Sequence, residues 1–352
     1  MPLKRKKSID VESLPIKLNH VKQIHVWGKK IIGSAIRFMP NIQHRIEKGL
    51  TVFAFHDVSN SPSKFTQQYG LVVSTETFER QIRWIRDNFE ILHPSAILGP
   101  KPIPRRGAVI SFDDGYRGAF DNGLPILEKL NIPAVIFLNM QAIILKKPII
   151  SAISCFLSEM NPNFTNYCRQ VGLRSPFHLS LNPKIWEDYR REHGHVDVSA
   201  VNQYQGEFTT MEILRRWDGH PLFCYGNHLF EHWNAAALSA DELREQYVSN
   251  EKVLSNFISK INLFAFTNGQ PITCYTVRDI KLLKTLGVGR AFSAVGGVNK
   301  SSKGFLLGRV SLCETDYTSA DLWYRVGRGF FSEKKAKINL DNTMNEIDNW
   351  LA

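Results

Sequence analysis

The sequence predicts an α/β fold built on a parallel β-sheet or a β/α barrel. Short apolar runs of strand length alternate with longer segments whose apolar residues recur at helical spacing, and this alternation is typical of parallel sheets. Several of the apolar runs also end in polar residues that are common in active sites. The composition fits a globular protein, since 43% of the 352 residues are apolar and 22% are charged.

The first part of the chain contains the strand and helix pattern twice. Residues 51–58 and 108–112 are short apolar runs with polar ends, so they predict strands. Residues 75–89 predict a helix with one apolar face. Residues 124–130 predict a second helix, which is followed by a strand over residues 134–138.

The pattern is interrupted over residues 141–218. We expect a largely helical insertion there, because a structureless loop of that length is uncommon inside a compact domain. The alternation then resumes with strand 222–225, helix 239–259, strand 263–266, helix 273–286, strand 291–294 and helix 318–331.

The positive charge is concentrated at the N-terminus. The whole chain has 44 Lys or Arg and 33 Asp or Glu, a net charge of +11, and residues 1–50 alone have eleven basic and three acidic residues. Residues 21–39 predict an amphipathic cationic helix, which either packs on the main domain with a solvated basic face or lies on an anionic membrane surface. Because the rest of the chain is almost balanced, we expect no nucleic-acid partner.

The cysteines and the apolar runs indicate a cytoplasmic protein. The five cysteines are widely spaced and form no Cys-x-x-Cys pair, so we expect reduced thiols. No run approaches the roughly 18 apolar residues of a membrane span, and the basic start is not followed by the apolar region of a signal peptide. Peripheral contact at the inner membrane face through residues 21–39 is the alternative.

Three strand ends contain the candidate catalytic residues. His56 ends the first strand, Asp113 and Asp114 end the second, and His228 and His232 follow the strand after the insertion. Active sites of β/α barrels lie at this end of the strands. Adjacent carboxylates near a core are costly unless a cation or a proton donor uses them, and one aspartate with two histidines leaves room for water and substrate at a zinc-type site.

Each of these features alone has a simpler interpretation. Asp113 and Asp114 fit a polar turn, His228 and His232 fit two surface histidines on a loop, and His56 fits a partly buried, hydrogen-bonded histidine. The spacing of His228 and His232 brings both imidazoles to one ion if the segment is helical. Their joint occurrence at the ends of three strands favours a metal site.

Four segments resemble the polysaccharide deacetylases, carbohydrate esterase family 4, which share the NodB-like homology domain. Residues 109–116 (VISFDDGY) resemble the first family motif, residues 226–233 (GNHLFEHW) the second, and residues 263–269 (LFAFTNG) a variant of the third. Residues 55–58 (FHDV) resemble the first strand of the branch that contains the poly-N-acetylglucosamine deacetylases. The resemblance implies a distorted (β/α)7 barrel, here with a large helical insertion.

The resemblance also implies a reaction and residue roles. Asp113 is expected to act as the general base that activates a metal-bound water, and Asp114, His228 and His232 are expected to bind a divalent metal, usually zinc. The expected reaction is hydrolysis of N-acetyl groups from a polysaccharide, an oligosaccharide or a lipid-linked sugar intermediate of surface-polysaccharide synthesis.

The sequence departs from the family pattern at two catalytic positions. Ala265 occupies the place where the third motif often has the arginine that orients the base, and no histidine follows His232 to supply the family's general acid. His56 is the candidate for an acid or an extra metal ligand; otherwise water or another residue protonates the leaving amine. A catalytically impaired glycan-binding module is therefore the alternative function.

The remaining predictions concern substrate contacts and domain boundaries. Asn268, Tyr116 and Trp233 are expected to contact the carbohydrate. The predicted organisation is a basic extension with an amphipathic helix over 1–50, a barrel in two parts over 51–140 and 219–332, the insertion over 141–218, and a C-terminal tail over 333–352.

Overall fold

The computed structural model describes residues 27–100, 102–173, 180–301 and 303–330. The first part of the predicted helix over residues 21–39 and the predicted tail lie outside the described residues.

Eight parallel strands form a nearly closed barrel, in the order β10-β9-β8-β7-β6-β5-β1-β11. A ninth strand, β4, pairs with β5, and β2 pairs with β3 in a small separate sheet. The strands are β1 Leu50–Phe55, β2 Asp57–Val58, β3 Val72–Val73, β4 Glu90–Ile91, β5 Gly107–Phe112, β6 Ala134–Leu138, β7 Phe223–Asn227, β8 Lys260–Ala265, β9 Arg290–Ser293, β10 Leu306–Gly308 and β11 Val310–Ser311.

The barrel closes at a single residue. β10 and β11 form the two ends of the sheet, yet Arg309 alone separates them in sequence. Together they form one broken seventh strand that joins β9 on one side to β1 on the other. The predicted distorted (β/α)7 barrel is therefore confirmed, and the break at Arg309 is its main distortion.

The barrel strands are buried on both faces, so side chains alternate between the interior and the helices. Val52 and Val109 belong to the cluster that fills the barrel, whereas Phe53 and Ile110 belong to the cluster beneath the helices. This alternation directs Asp113, four residues after Val109, into the barrel at its C-terminal end.

Helices surround the barrel and also form the insertion. The N-cap of α12 is Ser239, in the predicted capping box with Glu242. Two 3₁₀ turns at Pro94–Leu98 and Ala235–Ala237 and a π turn at Ala119–Gly123 supplement them. The helices are α1 (residues 27–36), α2 Pro40–Lys48, α3 Lys64–Gln68, α4 Thr75–Asn88, α5 Leu124–Lys129, α6 Met140–Leu145, α7 Ile150–Met160, α8 Pro162–Gln170, α9 Pro183–His193, α10 Val198–Gln205, α11 Met211–Trp217, α12 Ala240–Leu254, α13 Val277–Thr285 and α14 (residues 319–330).

The segment between β6 and β7 is helical, as the sequence predicted. It contains α6 to α11 within its described residues. Phe164, Trp186 and Tyr189 from this segment share an apolar cluster with Leu229 and Trp233, which follow β7. The insertion therefore packs directly on the loop that contains the two candidate metal-ligand histidines.

Candidate active site

The candidate site is a cavity of about 260 Å³ at the C-terminal end of the barrel. Six of the eight predicted site residues line it. The lining residues are His56, Phe65, Tyr69, Leu71, Asp113, Asp114, Ile149, Ser151, His228, His232, Phe266, Asn268, Gln270, Ala294, Arg309 and Ser311. Apolar walls around a few converging polar groups are typical of small-molecule sites.

The side chains of Asp113 and Asp114 have different partners in the cavity because the chain turns sharply at Asp114. The backbone N–H of Asp113 still donates to Phe55 O of the neighbouring strand β1. Asp114 then has a φ of +69° and Gly115 a φ of +89°, so both residues adopt left-handed conformations. For a non-glycine residue this conformation is strained and often marks a functional site.

The Asp114 carboxylate lies between two imidazoles. Asp114 Oδ1 is 3.2 Å from His228 Nε2 and 3.1 Å from His232 Nε2, and all three side chains are buried. The potential ligand atoms of these residues lie within 4.8 Å of one another. One carboxylate oxygen and two imidazole nitrogens are a common ligand set for zinc.

The hydrogen bonds behind the histidines fix how they face Asp114. His228 Nδ1 lies 2.7 Å from Ala265 O; because a carbonyl only accepts, Nδ1 is the donor, so Nε2 is the ring atom that faces Asp114 and that can bind a metal ion once it is unprotonated. His232 Nδ1 pairs with Ser151 Oγ at 3.1 Å. The buried Asp114 Oδ1 has no hydrogen-bond donor. Three ligand atoms with this surrounding geometry fit a divalent cation.

The spacing of His228 and His232 would bring their rings together on a helix, but the loop over residues 228–234 is not helical. Leu229 and His232 have φ values of +61° and +63°, and these two left-handed residues reverse the chain so that both imidazoles face Asp114. Asn139 holds this loop from β6 by donating to the carbonyls of His228 and Leu229.

Arg309 forms a buried, bidentate ion pair with Asp113. Its Nη1 and Nη2 donate to Asp113 Oδ1 and Oδ2 at 2.6 and 2.7 Å, and Arg309 is 1% exposed. Its Nε also donates to Ser293 O, so the guanidinium plane is held in place. This pairing orients the Asp113 carboxylate as the arginine of the third family motif is expected to do.

The local charges keep both aspartates ionised. Burial alone raises the pKa of Asp113, but the nearby Arg309 and His228 outweigh it and hold that pKa below its ordinary value. Burial also opposes ionisation of Asp114, yet His232 and His228 hold its pKa well below the usual range. Asp113 is therefore available as a proton acceptor near neutral pH.

His56 lines the same cavity as Asp113 and lies close to its carboxylate. Its Nε2 is 3.9 Å from Asp113 Oδ2, and its side chain is partly exposed. Burial lowers the pKa of His56, against the opposite effect of Asp114 and Asp113, so the imidazole is neutral near neutral pH. His56 is too far from the Asp114 group to belong to the cluster of ligand atoms.

The three predicted substrate contacts lie in different places. Asn268 lines the cavity and donates to Asn234 Oδ1 at 2.9 Å. Tyr116 does not line it, because its ring is buried and stacks on Phe208 of the insertion. Trp233 lies outside the lining as well; it belongs to the apolar cluster shared with the insertion. Roles for Tyr116 and Trp233 in substrate binding remain predictions.

Sequence reasoning missed Arg309 and Ser151. The signal for Arg309 was a charged residue two positions after Leu307 in an otherwise apolar run, which is the spacing of one face of a strand. Ser151 has no sequence signal, because it reaches His232 only through the packing of α7 over the barrel.

The sequence profile of the polysaccharide deacetylase family matches residues 101–290, which is more than half of the chain. This segment contains the aspartate pair and both histidines. The chain therefore belongs to the polysaccharide deacetylase family.

Individual proteins are similar to parts of this chain in sequence or in fold. The poly-beta-1,6-N-acetyl-D-glucosamine N-deacetylase of Escherichia coli K12 is 29% identical over 92 residues, which are 25% of this chain and only 13% of that protein. The structure of IcaB from Ammonifex degensii matches with a TM-score of 0.52 and 17% identity, covering 79% of this chain and 97% of the other. The de-N-acetylase from Aggregatibacter actinomycetemcomitans matches with a TM-score of 0.52 and 16% identity, covering 79% and 99%. These two structures support the fold.

Proposed function

We propose that this protein hydrolyses N-acetyl groups of an N-acetylated saccharide in a metal-dependent reaction with Asp113 as general base. The observation that carries this proposal is the pairing of two differently held carboxylates in one cavity. Asp114 faces two imidazole nitrogens, and Asp113, in the same cavity, is held by Arg309 through both of its carboxylate oxygens. Such an arrangement separates ligand and base functions.

Asp114, His228 and His232 would hold the metal ion. A divalent metal at these ligands supplies Lewis-acid polarisation of the acetamide carbonyl and lowers the pKa of a water. Ser151 and the Ala265 carbonyl orient the two imidazoles from behind. Zinc is the ion we propose, because one carboxylate and two imidazoles suit it and leave positions open for water and substrate.

Asp113 accepts the proton of the attacking water. Oxygen then adds to the acetamide carbon, and when the carbon–nitrogen bond breaks, the products are acetate and a free amine that must gain a proton. Arg309 keeps the carboxylate ionised before the reaction and fixes its direction during it. Because both side chains are buried, their attraction is little screened by water.

His56 is the group we propose to protonate the leaving amine. It borders the same cavity and lies 3.9 Å from Asp113 Oδ2, so a neutral imidazole there can receive a proton from that side and release it to the amine. This role replaces the late histidine that the family pattern leads one to expect.

The structure weakens the case for a catalytically impaired glycan-binding module. That alternative depended on the missing third-motif arginine and on the missing late histidine. Arg309 supplies a guanidinium to Asp113 from another part of the chain, and His56 is the acid that we propose in place of the late histidine. The insertion contributes Ile149 and Ser151 to the cavity wall. We therefore place the choice of saccharide in the insertion.

Acetate release tests the proposal. The zinc-loaded protein is incubated with a panel of N-acetylglucosamine oligosaccharides, and acetate and free amine are quantified separately. We expect equal amounts of the two products, loss of both after chelation, and recovery when zinc is restored. Folded, zinc-loaded protein that releases no acetate from any member of a broad panel would overturn the proposed function.

A further inference from the structure

The helix α1 has two faces with opposite character. On one face, the backbone of Gly33 lies so close to Ala320 of α14 that a side chain has no room, and Ile36 is completely buried beside Gly327. This face attaches the helix to the barrel. The sequence allowed the helix either to pack on the main domain or to lie on a membrane. This face packs on the main domain.

The opposite face exposes large apolar side chains. Trp27 is 71% exposed, Ile31 64% and Phe38 81%. Trp27 and Ile31 are one helical turn apart, and Phe38 continues the same line in the turn that follows the helix. Single exposed apolar residues are ordinary, but three large ones in one row indicate an interaction surface.

Basic side chains flank this row. Lys30 lies between Trp27 and Ile31 and is exposed, and Arg37 is exposed next to Phe38. No acidic residue occurs between positions 13 and 46, so no carboxylate of this stretch offsets the charge. The surface is defined here as Trp27, Lys30, Ile31, Arg37 and Phe38, and we call it the α1 surface.

We infer that the α1 surface binds the face of a bilayer that contains anionic phospholipids. Aromatic and aliphatic side chains enter the boundary between headgroups and acyl chains, while the flanking cations stay with the phosphates. Anionic lipid complements both properties of the surface at once. Among the described residues, no helix has the length and hydropathy needed to cross a bilayer.

Other occupants fit the surface less well. A second copy of the chain would bring two cationic surfaces together, and their repulsion opposes association. A nucleic acid uses the positive charges, but an aliphatic side chain such as Ile31 adds little to phosphate binding. The inference does not depend on the proposed deacetylation, because none of the five residues lines the catalytic cavity.

Vesicle sedimentation of the full chain tests the inference. The probes are vesicles of phosphatidylcholine alone and of phosphatidylcholine mixed with phosphatidylglycerol. We expect binding to the mixed vesicles, and a loss of affinity of about tenfold or more in the triple variant Trp27→Ser, Ile31→Ser, Phe38→Ser. The double variant Lys30→Glu, Arg37→Glu should lose about tenfold or more on mixed vesicles.

A matched control removes exposed apolar side chains elsewhere. Val248 and Ile258 are 49% and 86% exposed, and the variant Val248→Ser, Ile258→Ser should bind vesicles as the unmodified protein does. Circular dichroism checks that all variants fold. Equal vesicle binding by the triple variant and the unmodified protein overturns the inference, as does absence of any vesicle binding. The inference is also overturned if the unmodified protein and the control variant form a concentration-dependent dimer, or a complex with duplex DNA, and the triple variant does not.

Discussion

Replacing Arg309 with methionine tests how Asp113, the proposed base, is held. Arg309→Met keeps an unbranched, flexible side chain in place of the arginine stem but removes the guanidinium that donates to both oxygens of Asp113 at 2.6 and 2.7 Å. The side chains of Arg309 and Asp113 are 2% and 5% exposed, so the ion pair is largely shielded from bulk solvent.

The structure sets the expected size of two effects. A positive charge in contact with a carboxylate lowers its pKa by about 1–3 units, and this contribution disappears in the variant while the opposing effect of burial remains. The pKa of Asp113 therefore rises. Breaking a buried ion pair by removing one partner should lower the free energy of unfolding by about 3–5 kcal/mol.

The assay is the pH dependence of kcat/KM for acetate release, together with urea unfolding. The acidic limb of the profile reports ionisation of the base, so we expect it to move to higher pH by about 1–3 units in Arg309→Met. Arg309→Lys keeps the charge without the bidentate geometry and should shift the limb less.

Arg325 provides a matched control for this experiment. It forms an ion pair with Asp316 at 2.7 Å, is mostly buried, and does not line the cavity. Arg325→Met should lower stability but leave the acidic limb in place. An unchanged acidic limb in Arg309→Met would refute the assignment of Asp113 as a base held by Arg309.

Three further predictions address the proposed metal site, the proposed acid and the stability of the fold. Ser151→Ala should lower zinc affinity by about 10–100-fold, measured with a competing chromogenic chelator, because Ser151 no longer pairs with His232 Nδ1. His56→Gln should lower kcat for acetamides by about 10²–10⁴-fold but spare p-nitrophenyl acetate, whose leaving group needs no proton. Burial raises the pKa of Asp57 to about 6, so the folded state binds this proton more tightly than the unfolded state. Ionisation of Asp57 therefore lowers the free energy of unfolding as the pH rises from about 4 to 6. Over that range, urea unfolding should show the free energy of unfolding of Asp57→Asn rising by about 3 kcal/mol relative to that of the unmodified protein.

Each of these predictions has a result that contradicts it. Ser154→Ala is the control for Ser151→Ala, because Ser154 is buried on the same helix and donates to Ser151 O rather than to a histidine. Equal zinc affinity in these two variants would contradict the prediction for Ser151. Equal losses of His56→Gln on both substrates would show that His56 does not act as the acid. For Asp57, the adverse result is a pair of stability curves that run parallel across the pH range.

The barrel strands near the start of the chain were predictable because they are buried on both faces. Such strands appear in the sequence as continuous apolar runs, as in β1, β5 and β6. The predicted and observed bounds of these strands differ by one residue at most. The exception is the predicted strand 51–58, which is broken at His56 into β1 and β2. β10 and β11 were not predicted. They contain three and two residues, and Arg309 interrupts the apolar run between them.

The candidate site was predictable where its residues follow their strands directly. Asp113, Asp114, His228 and His232 stand at strand ends, and the parallel barrel brings those ends together. The pairing of Arg309 with Asp113 spans 196 positions of the sequence and exists only because the barrel closes next to β1. Local patterns contain no information about such a contact.

Zinc content and acetate release, measured on the same samples, test the central claim most directly. If Asp114 is a ligand and Asp113 is the base, then Asp113→Asn binds one zinc ion but releases no acetate, and Asp114→Asn loses zinc and acetate release together. Acetate release by zinc-loaded Asp113→Asn at the rate of the unmodified protein would contradict the account.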